Sequence, residues 1–242
     1  MKKNHCFMGA LFLLVVGAGS CVLTGKRVVG NGQVTTQERQ AGDFETLALA
    51  GSMQVYLTQG TVEAARIEAE SNLLPYIATE KRGDELRITF KDHVNIEAHK
   101  PIKIYLTAPG VTHLSVMGSG NITVSDTLRT DEAVKLNIAG SGNIVMQMNA
   151  PELDANIAGS GDILLGGETR NTTVNIVGSG NFKGSHLKSE QSRIKIAGSG
   201  NVRVYASIKL HATILGSGNV YYEGSPSVET TMTGSGKVIK QP

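Results

Sequence analysis

The tripeptide Gly-Ser-Gly occurs seven times in this chain, starting at Gly118, Gly140, Gly159, Gly178, Gly198, Gly216 and Gly234, at intervals of 22, 19, 19, 20, 18 and 18 residues. A near-constant period of about twenty marks a stacked architecture, because a unit that short cannot bury an apolar face alone and must be completed by its neighbours. Apolar residues alternate on both sides of each tripeptide, as in Leu114 and Val116 before it and Ile122 and Val124 after it, then Leu136, Ile138, Ile144 and Met146. A period of two means strands with one buried face. Each unit therefore reads as strand, glycine corner, strand and loop.

The corner residues suit that reading. Glycines at both ends of the tripeptide, with Gly120, Gly142, Gly161, Gly180, Gly200, Gly218 and Gly236 closing it, permit positive φ and let one corner sit close on the next. Directly after it stand Asn121, Asn143, Asp162, Asn181, Asn201 and Asn219, with Lys237 in the last unit. Asparagines stacked in register can bond to one another in a ladder, so these positions are expected to be structural. Together the features predict an all-β parallel β-helix, a solenoid of coils about twenty residues long. The competing fold is an antiparallel meander with Gly-Ser-Gly as hairpin turns, but a meander does not require the same residues at the same place in every unit. If the corners are tight, valine at Gly180 or Gly200 is expected to cost more than about 1 kcal/mol.

Upstream the alternation is less regular but still β, through Leu47, Leu49, Met53, Val55 and Leu57, then Leu86, Ile88 and Phe90, then Ile102, Ile104 and Leu106. Ala50-Gly51-Ser52 reads as a degenerate early corner, Ser71 to Tyr76 as a short helical turn ended by Pro75, and Lys81-Arg82-Gly83-Asp84 as a loop. The expected organisation is a targeting segment over 1–20, an anchored linker over 21–36, an irregular β part over 37–110 that continues the stack and caps its open end, and the repeats over 111–242.

The targeting segment has Lys2 and Lys3, an apolar stretch from Cys6 to Val16 that is too short to span a bilayer, and small residues from Gly17 to Ser20 before Cys21. This end resembles the bacterial lipobox, in which cleavage falls before the cysteine and the sulfur carries a diacylglyceryl group. The resemblance implies cleavage between Ser20 and Cys21 and lipidation of Cys21, with Ala18 where that pattern usually has leucine. Cys6 would leave with the signal, so no thiol remains for a disulfide. Two or more acyl chains hold a protein in a membrane stably, whereas one does not.

The run Val-x-Gly-Ser-Gly-Asn-Ile, together with Phe44-Glu45-Thr46-Leu47, resembles the head GIN domain family of putative auto-transporter adhesins, found among lipoproteins of Bacteroides-like bacteria. The resemblance covers roughly residues 35 to 240 and implies a right-handed β-helix in the cell envelope, with no catalytic or binding residues carried over. Some such bacteria export lipoproteins with acidic residues after the lipidated cysteine. Here Val22-Leu23-Thr24-Gly25-Lys26-Arg27 follows, which leans toward the periplasmic face of the outer membrane.

Other chemistries find little support. Without Lys2 and Lys3 the charge is balanced, 21 basic against 21 acidic side chains, so no general field attracts nucleic acid. The histidines, His93, His99, His113, His186 and His211 beyond the signal, show no metal-ligand spacing. No P-loop occurs, and no Gly-x-Ser-x-Gly elbow. A calcium β-roll would need a carboxylate at each corner, and only Asp162 supplies one. A carbohydrate-active enzyme is the main rival class, but Asp154, Asp162 and Glu168 are expected in separate turns without a basic partner, and Trp is absent. The expectation is a non-enzymatic envelope module without metal or cofactor. Its expected partners are the membrane through its lipid anchor and an envelope protein or glycan, with self-association open.

Overall fold

The computed structural model describes residues 25–242. Signal cleavage at Ser20 and lipidation at Cys21 lie outside them. The regular structure of the described residues is all strand apart from one short 3-10 turn over Leu74–Tyr76, with no α-helix. Pro75 stands within the first turn of that 3-10 element, where its missing N–H costs nothing, and so opens the element instead of ending it.

The N-terminal part contains β1 (Lys26–Val29), β2 (Val34–Arg39), β3 (Thr46–Gly51), β4 (Gln54–Gln59), β5 (Ala65–Glu70), β6 (Ile77–Arg82), β7 (Glu85–Phe90), β8 (Val94–Glu97) and β9 (Lys103–Ala108). Each repeat then contributes one strand before its glycine corner and one after. These pairs are β10 (His113–Gly118) and β11 (Asn121–Arg129), β12 (Val134–Gly140) and β13 (Asn143–Asn149), β14 (Glu152–Gly159) and β15 (Asp162–Glu168), and β16 (Asn171–Gly178) and β17 (Asn181–Lys188). They continue with β18 (Gln191–Gly198) and β19 (Asn201–Tyr205), β20 (Lys209–Gly216) and β21 (Asn219–Glu223), and β22 (Ser227–Gly234) and β23 (Lys237–Lys240).

Strands of successive repeats pair in parallel, residue for residue in the sheet before the corners, where Leu136 lies beside Ala155 and then Val174, and Gly140 beside Gly159 and then Gly178, and with two register shifts in the sheet after them. Parallel pairing throughout the repeats excludes the meander, whose neighbours run antiparallel. The result is a β-solenoid with two long sheets, one made of the strands before the corners and the other of the strands after them. Alternation sends every second side chain inward, so Leu136 and Ile138 from one sheet and Ile144, Met146 and Met148 from the other are all buried.

Gly51 is the early corner. Val116 and Gly118 pair with Leu49 and Gly51, and Ile122 pairs with Val55, so β3 and β4 form a coil directly beneath the first Gly-Ser-Gly coil. Residues 60–110 then run away from the repeats and back. β7 adds in parallel below β3 and β9 below β4, after which the pairing turns antiparallel, with β6 on β7, β5 on β9 and β2 on β5. These antiparallel strands close the N-terminal end of the stack. The outer edges carry charge, including Glu38 and Arg39 on β2 and Glu80, Lys81 and Arg82 on β6, which discourages further strand addition.

Two boundaries differ from expectation. The segment expected as linker holds β1, paired in parallel with β8, and the start of β2, so the first strand of the described residues begins at Lys26. Lys81 and Arg82 belong to β6, and the turn to β7 is confined to Gly83 and Asp84.

Candidate functional site

The corners are built by close approach. At Gly178 φ is +122°, a region that side chains rarely enter, whereas Gly180 has no positive φ. What requires glycine at 180 is space: a Cβ there would lie 2.4 Å from the Gly161 carbonyl oxygen and 2.6 Å from Ile157 Cγ2. The backbone spans the same gap with Gly180 N–H donating to Gly159 O at 3.0 Å and Asn181 N–H to Gly161 O at 3.1 Å. The corner residues at 118–121, 140–143, 159–162, 178–181, 198–201, 216–219 and 234–237 all lie along one edge of the stack.

The ladder after the corner runs through most coils. Asn143 Nδ2 donates to Asn121 Oδ1 at 2.7 Å, Asn181 to Asp162 at 2.9 Å, Asn201 to Asn181 at 3.2 Å and Asn219 to Asn201 at 3.1 Å. Between Asn143 and Asp162 the bond comes from the Asp162 backbone N–H, at 3.2 Å, because a carboxylate has no donor to offer. Asp162 does have a basic partner, contrary to the expectation from spacing: Lys183 on the next coil lies 2.5 Å away. Partial burial pushes the Asp162 carboxyl up, but the bonds from Lys183 and Asn181 and the Lys183 charge outweigh it, and its pKa lies below the ordinary aspartate value. A second ladder, Asn175 to Asn156 to Asn137 at 2.9 and 3.2 Å, runs on the other side of the corner. Its signal was an asparagine three residues before Gly140, Gly159 and Gly178.

A groove of about 660 Å³ lies on the outer face of the sheet formed by the strands before the corners, well away from them. Its floor is the inward-pointing column Leu153, Thr172 and Ser192, all buried. One wall is the outward column of Glu152, Asn171, Gln191 and Lys209, and the other is Lys135, Asp154, Thr173, Arg193, His211 and Glu229. Glu229 lies 3.4 Å from both Lys209 and His211. Bonds from His211 and then Lys209, with their charges, hold its carboxyl below the ordinary glutamate value. A second hollow, of about 620 Å³, has Asp131, Glu168, Arg170 and Glu190 in its lining at the loops opposite the glycine corners. Thus Asp154, Asp162 and Glu168 occupy three separate places: the groove, the ladder and this hollow.

One further carboxylate is fully buried. Glu70, at the end of β5, accepts backbone N–H bonds from Gly32, His99 and Lys100 and lies 3.6 Å from the His99 ring. Burial pushes its pKa up, and the N–H groups of Gly32, Lys100 and His99 with the His99 charge bring it below the ordinary value. It ties the loop between β1 and β2 to the loop before β9. Among the described residues no group of three or more His, Cys, Asp or Glu side chains is arranged to hold a metal ion.

This stack, with its capped end and its polar outer groove, defines a repeat protein of the β-solenoid class. The chain belongs to the family described as "Putative auto-transporter adhesin, head GIN domain", which it matches over residues 43–226. Among solved structures it is similar to a putative adhesin from Bacteroides fragilis, with 21% identity, a TM-score of 0.83, and coverage of 88% of this chain and all of that one. A putative lipid binding protein from Parabacteroides distasonis shares 26% identity over 90% of this chain and all of its own, with a TM-score of 0.76. A putative adhesin from Parabacteroides merdae shares 21% over 90% and 100%, with a TM-score of 0.69. No functionally curated protein matches the chain.

Proposed function

We propose that the protein is a non-enzymatic binding module of the cell envelope, tethered to the outer membrane through lipid on Cys21, that presents its solenoid face to another envelope protein or a glycan. The observation that carries this reading is the polar groove, which runs across several coils and offers amides, hydroxyls and charges at a regular interval. The family assignment supports an envelope setting, and the order of Lys2, Lys3, the apolar stretch and Cys21 supports the anchor. Among the described residues no helix is long and apolar enough to cross a membrane, and under this reading acyl chains on Cys21 insert into one leaflet and hold the protein at the membrane.

The test is intact mass of the membrane-extracted protein beside a Cys21→Ala variant, followed by protease treatment of whole cells. A lipid adduct on Cys21 together with cleavage by external protease supports surface adhesion. An adduct with full protection places the binding partner in the periplasm. A chain without the adduct overturns the anchor.

A further inference from the structure

The groove faces outward across β12 to β22, where β12 to β20 each have parallel neighbours on both sides and β22 is the last strand of the sheet. A peptide could add as a strand only beyond β22, past the end of the groove and not within it, and the floor residues Leu153, Thr172 and Ser192 are buried, leaving no apolar pocket for a peptide side chain. Its walls present amides and hydroxyls that both donate and accept, at Asn171, Thr173 and Gln191, a lining suited to a hydroxylated polymer. From Lys135 on β12 to Glu229 on β22 the outward column crosses five intervals of about 4.8 Å, roughly 24 Å in all, long enough for several sugar units in line.

The charges are not all spent within the protein. Lys209 and His211 face Glu229, Glu152 accepts from Asn171 at 3.4 Å, and Asp154 accepts from Asn156 at 3.1 Å. Arg193, between Thr173 and His211 in the column, is in no ion pair among the described residues. Its neighbours are cationic or neutral: Gln191 and Lys195 flank it along β18, and Lys209 stands across from Gln191. A guanidinium in this setting matches a carboxylate or sulfate through two parallel N–H bonds. No Tyr, Phe or Trp lines the groove, so the stacking platform that neutral sugars favour is missing, and affinity has to come from charge and hydrogen bonds.

We propose that this groove binds an acidic saccharide chain laid along the stack, with an anionic group of the chain held by Arg193. The proposal rests on the binding-module reading and names its ligand class. The test uses the whole protein with an oligogalacturonate, a heparin-derived oligosaccharide and a neutral maltodextrin, read by titration calorimetry and by NMR of the arginine Nε–H and backbone amides. At least one acidic probe should bind, shift the Arg193 Nε–H and the amides of Thr172 and Thr173, and lose tenfold or more in affinity in Arg193→Gln, with partial retention in Arg193→Lys. Tenfold corresponds to about 1.4 kcal/mol, a size that loss of a charge-assisted bidentate contact supports. Arg203→Gln, on the other sheet, should bind as the parent does.

Failure of both acidic probes to bind overturns the proposal, as does equal binding of maltodextrin, or binding that leaves Arg193 unshifted and survives Arg193→Gln. The non-enzymatic binding-module reading fails on a different result, turnover of a polysaccharide by the pure protein.

Discussion

Alanine at Gly180 tests the stacking argument most directly, because the backbone there is unstrained and the whole penalty comes from the neighbouring coil. The added Cβ would stand 2.4 Å from the Gly161 carbonyl oxygen and 2.6 Å from Ile157 Cγ2, whereas ordinary contacts begin near 3.4 Å. Relief requires the coils to part by about 1 Å at the corner. That movement stretches the Gly180 and Asn181 N–H bonds, now 3.0 and 3.1 Å, beyond useful length at about 1 kcal/mol each. Residual overpacking adds about 1 kcal/mol or more, for a total near 3 kcal/mol. Two controls separate the causes. Gly32 has φ +75°, and a Cβ added there would meet nothing within 4 Å, so alanine should cost only the left-handed strain of about 1 kcal/mol. Gly110 has neither positive φ nor a neighbour within 4 Å, and alanine should be neutral or stabilising by up to about 1 kcal/mol. Urea unfolding followed by circular dichroism would rank the three. A Gly180→Ala protein as stable as Gly110→Ala refutes the claim that the corners are held by backbone contact between coils.

Acid should loosen the N-terminal cap. Glu70 has a pKa lowered in the folded protein, so its stabilising contribution is present above the ordinary value of 4.5 and is lost as the pH falls through the lower folded value. Glu70→Gln should flatten the acid limb of the stability curve and raise hydrogen exchange at Gly32, His99 and Lys100, and an unchanged limb would refute the role. Phe44, 1% exposed, should cost about 3–5 kcal/mol as alanine, measured by the same unfolding assay. A loss below about 1 kcal/mol would show that the segment before β3 contributes little to the core.

The repeat half was legible because one constraint acts at every coil. Gly-Ser-Gly recurs where coils touch, and the unequal intervals turn out to have local causes. The interval of 22 after Gly118 contains a register shift between Thr123 and Thr127, and the interval of 20 after Gly178 contains one extra residue beyond Lys183. Intervals of 18 follow Gly198 and Gly216, where β19 and β21 have only five residues each. The N-terminal half was harder to read because alternation reports which residues are buried, not which strand is the neighbour. Leu47, Leu86 and Leu114 look alike in sequence, yet β3 lies between β7 and β10 in the sheet, and only the fold shows that the chain, after β1 and β2, enters mid-stack at β3 and β4, leaves to build the cap and returns.

The groove was the least legible feature, for a related reason. Its walls come from outward positions, which the core does not constrain, and the column Lys135, Asp154, Thr173, Arg193, His211 and Glu229 becomes a set only once the register aligns residues 18 to 20 apart. No local motif marks it. In a stacked fold the repeated residues are those that make coils fit one another, so a specific ligand has to be read from positions that vary between coils. Arg193 is such a position: the matching residues on the adjacent coils are Thr173 and His211, and nothing in the stacking requires an arginine between them.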